Sequence, residues 1–154
     1  GTEHALTSSA PADSAVVSLD VSRDGARLLL YLSTPLGPRL AVAGIIRDQK
    51  NVPTALGQLE YLPVASNAPI DATWVDARTV ATVSRGGEVA PVTLYEIGGP
   101  SATFGQVPDA STIVGGNGGA DGLRVLRTSG EVLRPQGSSW VTTGLSARVL
   151  ATKQ

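Results

Sequence analysis

Seven aspartates lie in or beside the turns that this sequence predicts, and their carboxylates are its best candidates for chemistry. They are Asp20, Asp24, Asp48, Asp71, Asp76, Asp109 and Asp121. A glycosidase needs two facing carboxylates. Acids in turns could provide such a pair if two of them converged at one place in the fold. A turn role is favoured, because Asp tolerates left-handed backbone and the Gly that follows Asp24 and Asp121 adopts it freely. Asp71, Asp76 and Asp109 remain a candidate saccharide-binding set.

The other side chains that carry chemistry are scarce. The sequence has one histidine, His4, and no cysteine. A Ser-His-Asp triad needs an imidazole held in place, and a structural zinc site needs several nitrogen or sulfur ligands. His4 falls in a segment predicted to be irregular. We therefore predict no catalytic, cofactor-binding or metal-binding residues, no cofactor and no enzyme activity.

Glycines dominate the most unusual loop, residues 115–122, which reads Gly-Gly-Asn-Gly-Gly-Ala-Asp-Gly. Phosphate-binding loops of this composition lead into a helix and usually carry a Lys, whereas here a strand is predicted to follow and no Lys is near. A calcium loop needs several oxygen ligands at fixed spacing, and only Asn117 and Asp121 supply one by side chain. The prediction is a flexible connection between strands.

Composition sets the broad class of the chain. Of its 154 residues, 42% are hydrophobic and 16% are charged, which excludes a disordered, charge-rich protein. Eighteen Gly and ten Pro favour many turns over long helices. A net charge of −1 gives no basic field for nucleic acid. The longest apolar stretches, Leu28–Leu32 and Leu40–Ile46, are too short to span a bilayer.

Short apolar runs recur between turn signals, and their order restarts twice along the chain. The predicted strands are Ala15–Val21, Arg27–Leu32, Leu40–Ile46, Leu56–Leu62, Ala72–Val75, Thr79–Ser84, Pro91–Ile97, Ala102–Val107, Ser111–Val114, Leu123–Arg127, Glu131–Arg134, Ser139–Thr142 and Ala147–Thr152. Periods of about 40–50 residues with four strands each are typical of β-propeller blades.

Matching positions support this repeat. Second strands are predicted to align at Leu28, Val80 and Val125, and third strands at Leu40, Val92 and Val132. Trp74 and Trp140 are predicted to fill the space between neighbouring blades.

The fold class predicted is all-β, a fragment of a β-propeller with about three four-stranded antiparallel blades. The blades would span residues 14–66, 67–109 and 110–154, after an irregular arm over residues 1–13. A β-sandwich is the rival architecture. The chain begins at Gly1 and contains no Met, which suggests a trimmed piece of something longer. Three blades leave open ends, so the missing blades of the same propeller, or a second copy, are expected partners.

Two stretches resemble known families. Ser22-Arg23-Asp24-Gly25 resembles the Ser-Pro-Asp-Gly turn of bacterial WD40-like propeller repeats, with Arg23 where Pro is common. The C-terminal half is similar to the end of the actinobacterial LpqB lipoprotein family, and the likeness extends over roughly residues 14–154. The runs that carry it are Ile113–Gly118, Leu123–Val125, Gly137–Trp140 and Val149–Gln154.

The resemblance implies the C-terminal part of a propeller in a secreted lipoprotein that is anchored outside the cytoplasmic membrane through a parent chain. It also implies an N-terminal GerMN-type domain, which is absent from this sequence, and no enzyme activity. The family is linked to MtrA–MtrB two-component signalling, which concerns the cell envelope and cell division. The expected partner is the extracellular domain of an MtrB-like sensor histidine kinase, with partner-binding residues unknown. The alternative is a carbohydrate-binding or cell-wall-binding propeller.

Overall fold

The computed structural model describes residues 8–64 and 69–149. Within these ranges the chain forms thirteen β-strands and one short 3-10 helix. The strands make three antiparallel sheets, one of five strands and two of four. The prediction of an all-β chain built from about three antiparallel blades is confirmed.

The first sheet has the strand order β1-β2-β3-β4, and β5 also pairs with β3. Its strands are β1 (Ala15–Val21), β2 (Arg27–Thr34), β3 (Gly37–Arg47), β4 (Pro53–Leu56) and β5 (Glu60–Tyr61). The single fourth strand predicted over Leu56–Leu62 is wrong. Gly57 packs closely on Gly44, to whose carbonyl its amide donates at 2.8 Å, and this contact separates β4 from β5.

The second and third sheets each follow chain order from strand to strand. The second comprises β6 (Pro69–Trp74), β7 (Thr79–Ser84), β8 (Val89–Glu96) and β9 (Ser101–Pro108), and the third β10 (Ala110–Val114), β11 (Arg124–Arg127), β12 (Glu131–Gln136) and β13 (Ser139–Ser146). The strand predicted over Ala147–Thr152 is not formed at residues 147–149, and its remainder lies outside the described residues. β13 itself continues to Ser146, because Glu131 of β12 pairs with that residue.

The chain divides into two compact units, Gly1–Pro63 and Val64–Gln154. The first unit has its own apolar cluster on one face of the first sheet, formed by Leu28, Leu30, Leu32, Ala41, Ala43 and Leu59. In the second unit, one cluster is shared by the second and third sheets. Val83 and Val92 from the second sheet pack there with Ile113 and Val125 from the third.

A β-bulge recurs at the same place in the first strand of every sheet. It falls between Val16 and Ser18, between Pro69 and Asp71, and between Ala110 and Thr112. A bulge sets two residues of one strand opposite one residue of its neighbour. Its recurrence fixes which residues are equivalent, and it shows that the three sheets repeat one structural pattern.

The register confirms most of the predicted alignment. On the second strand of each sheet, one residue lies opposite the first residue after the bulge: Tyr31, Val83 and Leu126. Their partners on the third strands are Leu40, Val92 and Val132, so these three positions are equivalent, as predicted. Leu28 and Val80 are also equivalent, but the alignment of Val125 with them is wrong. Val125 corresponds to Leu30 and Thr82, because it pairs with Ile113. Leu123 and Val125 are both fully buried two residues apart, so alternation alone did not fix the register.

Thr82 is the one polar residue among these three equivalent positions. Its side chain is fully buried, and Oγ1 has no hydrogen-bond partner among the described residues. Valine has nearly the same shape without the hydroxyl. We expect Thr82→Val to raise the free energy of unfolding by about 1–2 kcal/mol, because it removes a desolvated group that gains nothing in return. Urea denaturation measures the change.

Thr73→Val is the matched control for this prediction. Thr73 is also buried, but its Oγ1 accepts a hydrogen bond from the Gly115 amide at 3.0 Å. This variant should lose stability, by about 1–3 kcal/mol. Equal losses in the two variants would show that the Thr82 hydroxyl is satisfied and would contradict the prediction.

Candidate functional site

The Asp24 carboxylate closes the turn between β1 and β2. Asp24 Oδ1 accepts a hydrogen bond from the Ser22 hydroxyl at 2.6 Å and another from the Ala26 amide at 3.1 Å. Ser22 is buried, and its Oγ also accepts from the Arg27 amide at 2.9 Å. The Ser-Arg-Asp-Gly stretch therefore builds a self-contained turn, and its carboxylate is used by the backbone around it.

These hydrogen bonds lower the pKa of Asp24 below its ordinary value of 3.8, the Ser22 hydroxyl first and the Ala26 amide second. The charged form is favoured in the folded chain, so Asp24 contributes stability above pH 3.8, and that contribution is lost as the pH falls below this value. We expect Asp24→Asn to cost about 1 kcal/mol near neutral pH. The cost should shrink toward zero on acidification, as measured by urea denaturation at a series of pH values.

Asp121→Asn is the control variant for this pH series. The Asp121 carboxylate is exposed and makes no hydrogen bond within the described residues. Its effect on unfolding should be small at every pH. A cost for Asp24→Asn that stays constant down to strongly acidic pH would contradict the assigned role of its charge.

Asp76 and Asp48 follow the same pattern. Asp76 Oδ1 accepts from the amides of Arg78 and Thr79, both at 2.7 Å. Asp48 Oδ1 accepts from the amides of Lys50 and Val52 at 2.8 and 2.9 Å. Both carboxylates thus cap backbone amides in tight turns.

Asp71 has a different role, as a contact between neighbouring sheets of the second unit. Its Oδ2 accepts from the Ile113 amide at 2.9 Å, while Oδ1 accepts from the Ala72 amide at 2.9 Å. Two residues further on, Thr73 Oγ1 accepts from Gly115. The pairing advances in the same direction on both strands, so β6 and β10 run side by side and parallel. Asp71 therefore joins the second and third sheets.

This parallel register also separates the predicted saccharide-binding set. Asp76 follows the end of β6, whereas Asp109 precedes the start of β10. With Asp71 opposite Ile113, Asp76 lies five residues beyond this pair along the chain and Asp109 lies four residues before it, so the two carboxylates are at opposite ends of the paired strands. Asp109 is engaged by Arg127, whose Nη2 lies 3.5 Å from its Oδ2. The structure does not bring the three carboxylates together.

The remaining sequence-derived candidates also lack a common site. Asp20 lies half-buried within β1, and His4 lies outside the described residues. No cluster of three or more His, Cys, Asp or Glu suited to a metal occurs in the described part of the chain.

The glycine-rich loop connects β10 and β11, and it is a compact turn. It contains the 3-10 helix Gly119–Gly122, and Gly118 has a φ of 111°. A Cβ at Gly116 would lie 2.6 Å from the Gly122 carbonyl oxygen, so the loop closes tightly on itself. The Asp121 carbonyl accepts from Arg124 Nη1 at 3.0 Å. The loop is also tied to its surroundings, since the Gly115 amide donates to Thr73 Oγ1 on β6.

The most distinctive surface of the first unit is apolar. The side chains of Val16, Val17 and Leu19 on β1 are 55%, 59% and 60% exposed. Leu36, at the tip of the β2–β3 hairpin, is 85% exposed. Ile113 is the equivalent of Leu19 in the third sheet and is only 2% exposed, because it packs in the cluster shared with the second sheet. The exposed face of β1 is therefore of the kind that another blade covers.

A pocket adjoins this surface where β2 ends and β3 begins. It has a volume of about 290 Å³ and its apolar lining includes Pro35, Leu36 and the ring of Tyr61. Arg39 lines it as well, with its guanidinium carbon 5.6 Å from the centroid of the Tyr61 ring. Sequence reasoning did not single out these residues. The available signal was Leu36, a large apolar residue in a turn, where Gly, Pro, Asn, Asp and Ser are usual.

The comparison with known protein families agrees with this architecture. Residues 1–147 match the family described as the lipoprotein LpqB β-propeller domain. The chain belongs to this family. The resemblance noted in the sequence is confirmed, and the LpqB family indicates a module of an extracytoplasmic lipoprotein. No curated protein and no solved structure matches the chain significantly.

Membership in the LpqB family fits the lack of an assembled catalytic site in the described residues. A propeller domain of a lipoprotein is typically a non-catalytic module, and the carboxylates of Asp24, Asp48, Asp71 and Asp76 all have structural roles. None of the helices in residues 8–64 and 69–149 is long and apolar enough to cross a membrane.

Proposed function

We propose that this chain is a non-catalytic interaction module of an extracytoplasmic lipoprotein, held at the membrane through its parent chain. Its protein partner is the extracellular domain of an MtrB-like sensor histidine kinase, in two-component signalling at the cell envelope. Family membership supports the lipoprotein part of this proposal. The observation that carries the interaction role is the exposed apolar tip of the β2–β3 hairpin, where Leu36 is 85% exposed.

The two exposed apolar regions of the first unit have different occupants in this proposal. The face of β1 around Leu19 is covered by a further blade of the same propeller, as the equivalent Ile113 is covered within the second unit. The β2–β3 hairpin remains available to the kinase domain. Sedimentation of the 154-residue chain tests the first assignment. A monomer is expected, and a dimer dispersed by Leu19→Asp would assign the β1 face to a second copy.

The experiment that tests the function compares two ligand classes on the same protein. The chain is passed over the immobilised kinase extracellular domain and, separately, is pelleted with insoluble cell-wall polysaccharide. Asp76→Ala and Asp109→Ala serve as paired variants, because both side chains are exposed and their removal should leave the core intact. Circular dichroism checks the fold of each variant.

The proposal predicts retention on the kinase domain that both Asp variants keep, and no pelleting with the polysaccharide. Pelleting that either Asp variant abolishes, without retention on the kinase domain, would replace the proposal with the cell-wall-binding alternative.

A further inference from the structure

The pocket beside the β2–β3 hairpin has a preorganised wall. Thr34 Oγ1 donates a hydrogen bond to the Gly37 carbonyl at 2.7 Å and accepts one from the Leu36 amide at 3.2 Å. Gly37 has a φ of 104°, a conformation that Gly adopts without strain. The backbone of the hairpin tip is thus fixed while its Leu36 side chain is left exposed, so a ligand meets an apolar wall whose backbone needs no ordering on binding.

This apolar tip is particular to the first sheet. The corresponding connections in the other two sheets are Arg85-Gly86-Gly87-Glu88 and Thr128-Ser129-Gly130, both polar. A residue needed for packing within every blade would recur in the repeat. Pro35 and Leu36 do not recur, and a role outside the repeat accounts for their exposure.

Arg39 adds an uncompensated charge to the same pocket. It is exposed and forms no ion pair within the described residues, where its guanidinium contacts the Tyr61 ring. The third sheet shows the contrast, because the residue equivalent to Arg39 is Glu131. Glu131 Oε2 lies 2.7 Å from Nη1 of Arg127, so that charge is paired within the sheet. The Arg39 guanidinium is held in place by Tyr61 but pairs with no anion in the described part of the chain.

We propose that this pocket binds an extended segment of a protein partner that carries an apolar side chain next to a carboxylate. The apolar side chain would enter between Pro11, Pro35, Leu36 and Tyr61, the apolar part of the lining. The carboxylate would pair with the guanidinium of Arg39, which suits a planar two-oxygen ligand. The kinase domain as the source of the segment rests on the proposed function, whereas the ligand chemistry rests on the pocket alone.

Short peptides test the ligand chemistry without the kinase domain. The probes are the acetylated, amidated hexapeptides Gly-Asp-Leu-Asp-Gly-Ser and Gly-Lys-Leu-Lys-Gly-Ser, titrated into the nitrogen-15-labelled chain and followed by amide chemical shifts. We expect the Asp peptide to bind with a dissociation constant of about 1 mM. Its shifts should be confined to the β2–β3 hairpin and its neighbours, and the Lys peptide should cause none there.

Arg39→Glu should reverse this preference between the two peptides, which a purely apolar pocket would not do. Shifts of equal size with both peptides, shifts elsewhere in the chain, or no shifts at several millimolar would each overturn the proposal.

The kinase domain then tests the source of the segment. Leu36→Asp and Arg39→Glu should each weaken its binding by at least about tenfold, since each removes one half of the recognition. Leu145→Asp is the matched control, because Leu145 is 65% exposed on β13 in the other unit. This variant should bind the kinase domain as tightly as the unchanged chain does. If the chain binds the Asp peptide but not the kinase domain, the proposed function is wrong and the ligand chemistry of the pocket stands. Kinase binding that neither variant weakens, or self-association that Leu36→Asp abolishes, would overturn the pocket assignment.

Discussion

Gly115→Ala is expected to destabilise the second unit by at least about 3 kcal/mol, through overpacking and the loss of a buried hydrogen bond. A Cβ at this position would overlap the carbonyl oxygen of Trp74, and that atom belongs to the backbone of the adjacent strand. A flexible side chain could move aside, but β6 is held by its pairing with β7. Relief therefore requires β6 and β10 to separate, which also breaks the bond from the Gly115 amide to Thr73.

Gly44→Ala is the matched control for this variant. Gly44 lies in β3 of the first unit, and a Cβ there would meet no atom within 4 Å. Its effect on the free energy of unfolding, measured by urea denaturation, should stay within about 1 kcal/mol. If the two variants lost similar amounts of unfolding free energy, β10 would not approach β6 closely at Gly115, and the prediction would be contradicted.

Trp74→Ala should cost about 3–5 kcal/mol, the range for removing a buried large aromatic side chain. Trp74 ends β6 and is 6% exposed, and its pairing partner Val80 is fully buried. β6 is hydrogen-bonded to β7, which also pairs with β8, so the backbone at Trp74 has little freedom to collapse into the space left by the indole. Thermal and urea unfolding of the variant measure the loss.

Trp140→Ala provides the comparison, because Trp140 is only half-buried. Its Nε1 donates to the Phe104 carbonyl at 3.3 Å, and the two rings meet edge to face with centroids 6.1 Å apart. As predicted, this tryptophan joins two blades, because it lies on β13 of the third sheet and contacts β9 of the second. Its indole buries less surface than that of Trp74. We expect a cost of about 1–3 kcal/mol. A loss below about 1 kcal/mol for Trp74→Ala would contradict the burial of its indole.

The all-β class and the repeat could be predicted because they depend on local signals. Gly-containing turns and short alternating runs fix strands such as Ala15–Val21 and Thr79–Ser84, whose observed bounds agree with prediction. The second-strand alignment failed at Val125 for a physical reason. Leu123 and Val125 are both buried and lie two positions apart. Only the bulge in β10 shows that Leu123, and not Val125, is equivalent to Leu28.

The roles of individual side chains were less predictable, since they depend on contacts between distant residues. Nothing local distinguishes Asp71 from Asp76, yet one joins two sheets and the other caps a turn. Likewise, the charge on Arg39 becomes notable only when its equivalent, Glu131, is seen paired with Arg127. Sequence patterns identify which groups are present, and strand register determines which of them meet.

Calorimetric titration of the 154-residue chain with the extracellular domain of an MtrB-like kinase tests the interaction role most directly. We expect one-to-one binding with a dissociation constant of about 50 μM or tighter, which Leu145→Asp should leave unchanged. Absence of binding heat at several temperatures, with both proteins folded and well above that concentration, would contradict it.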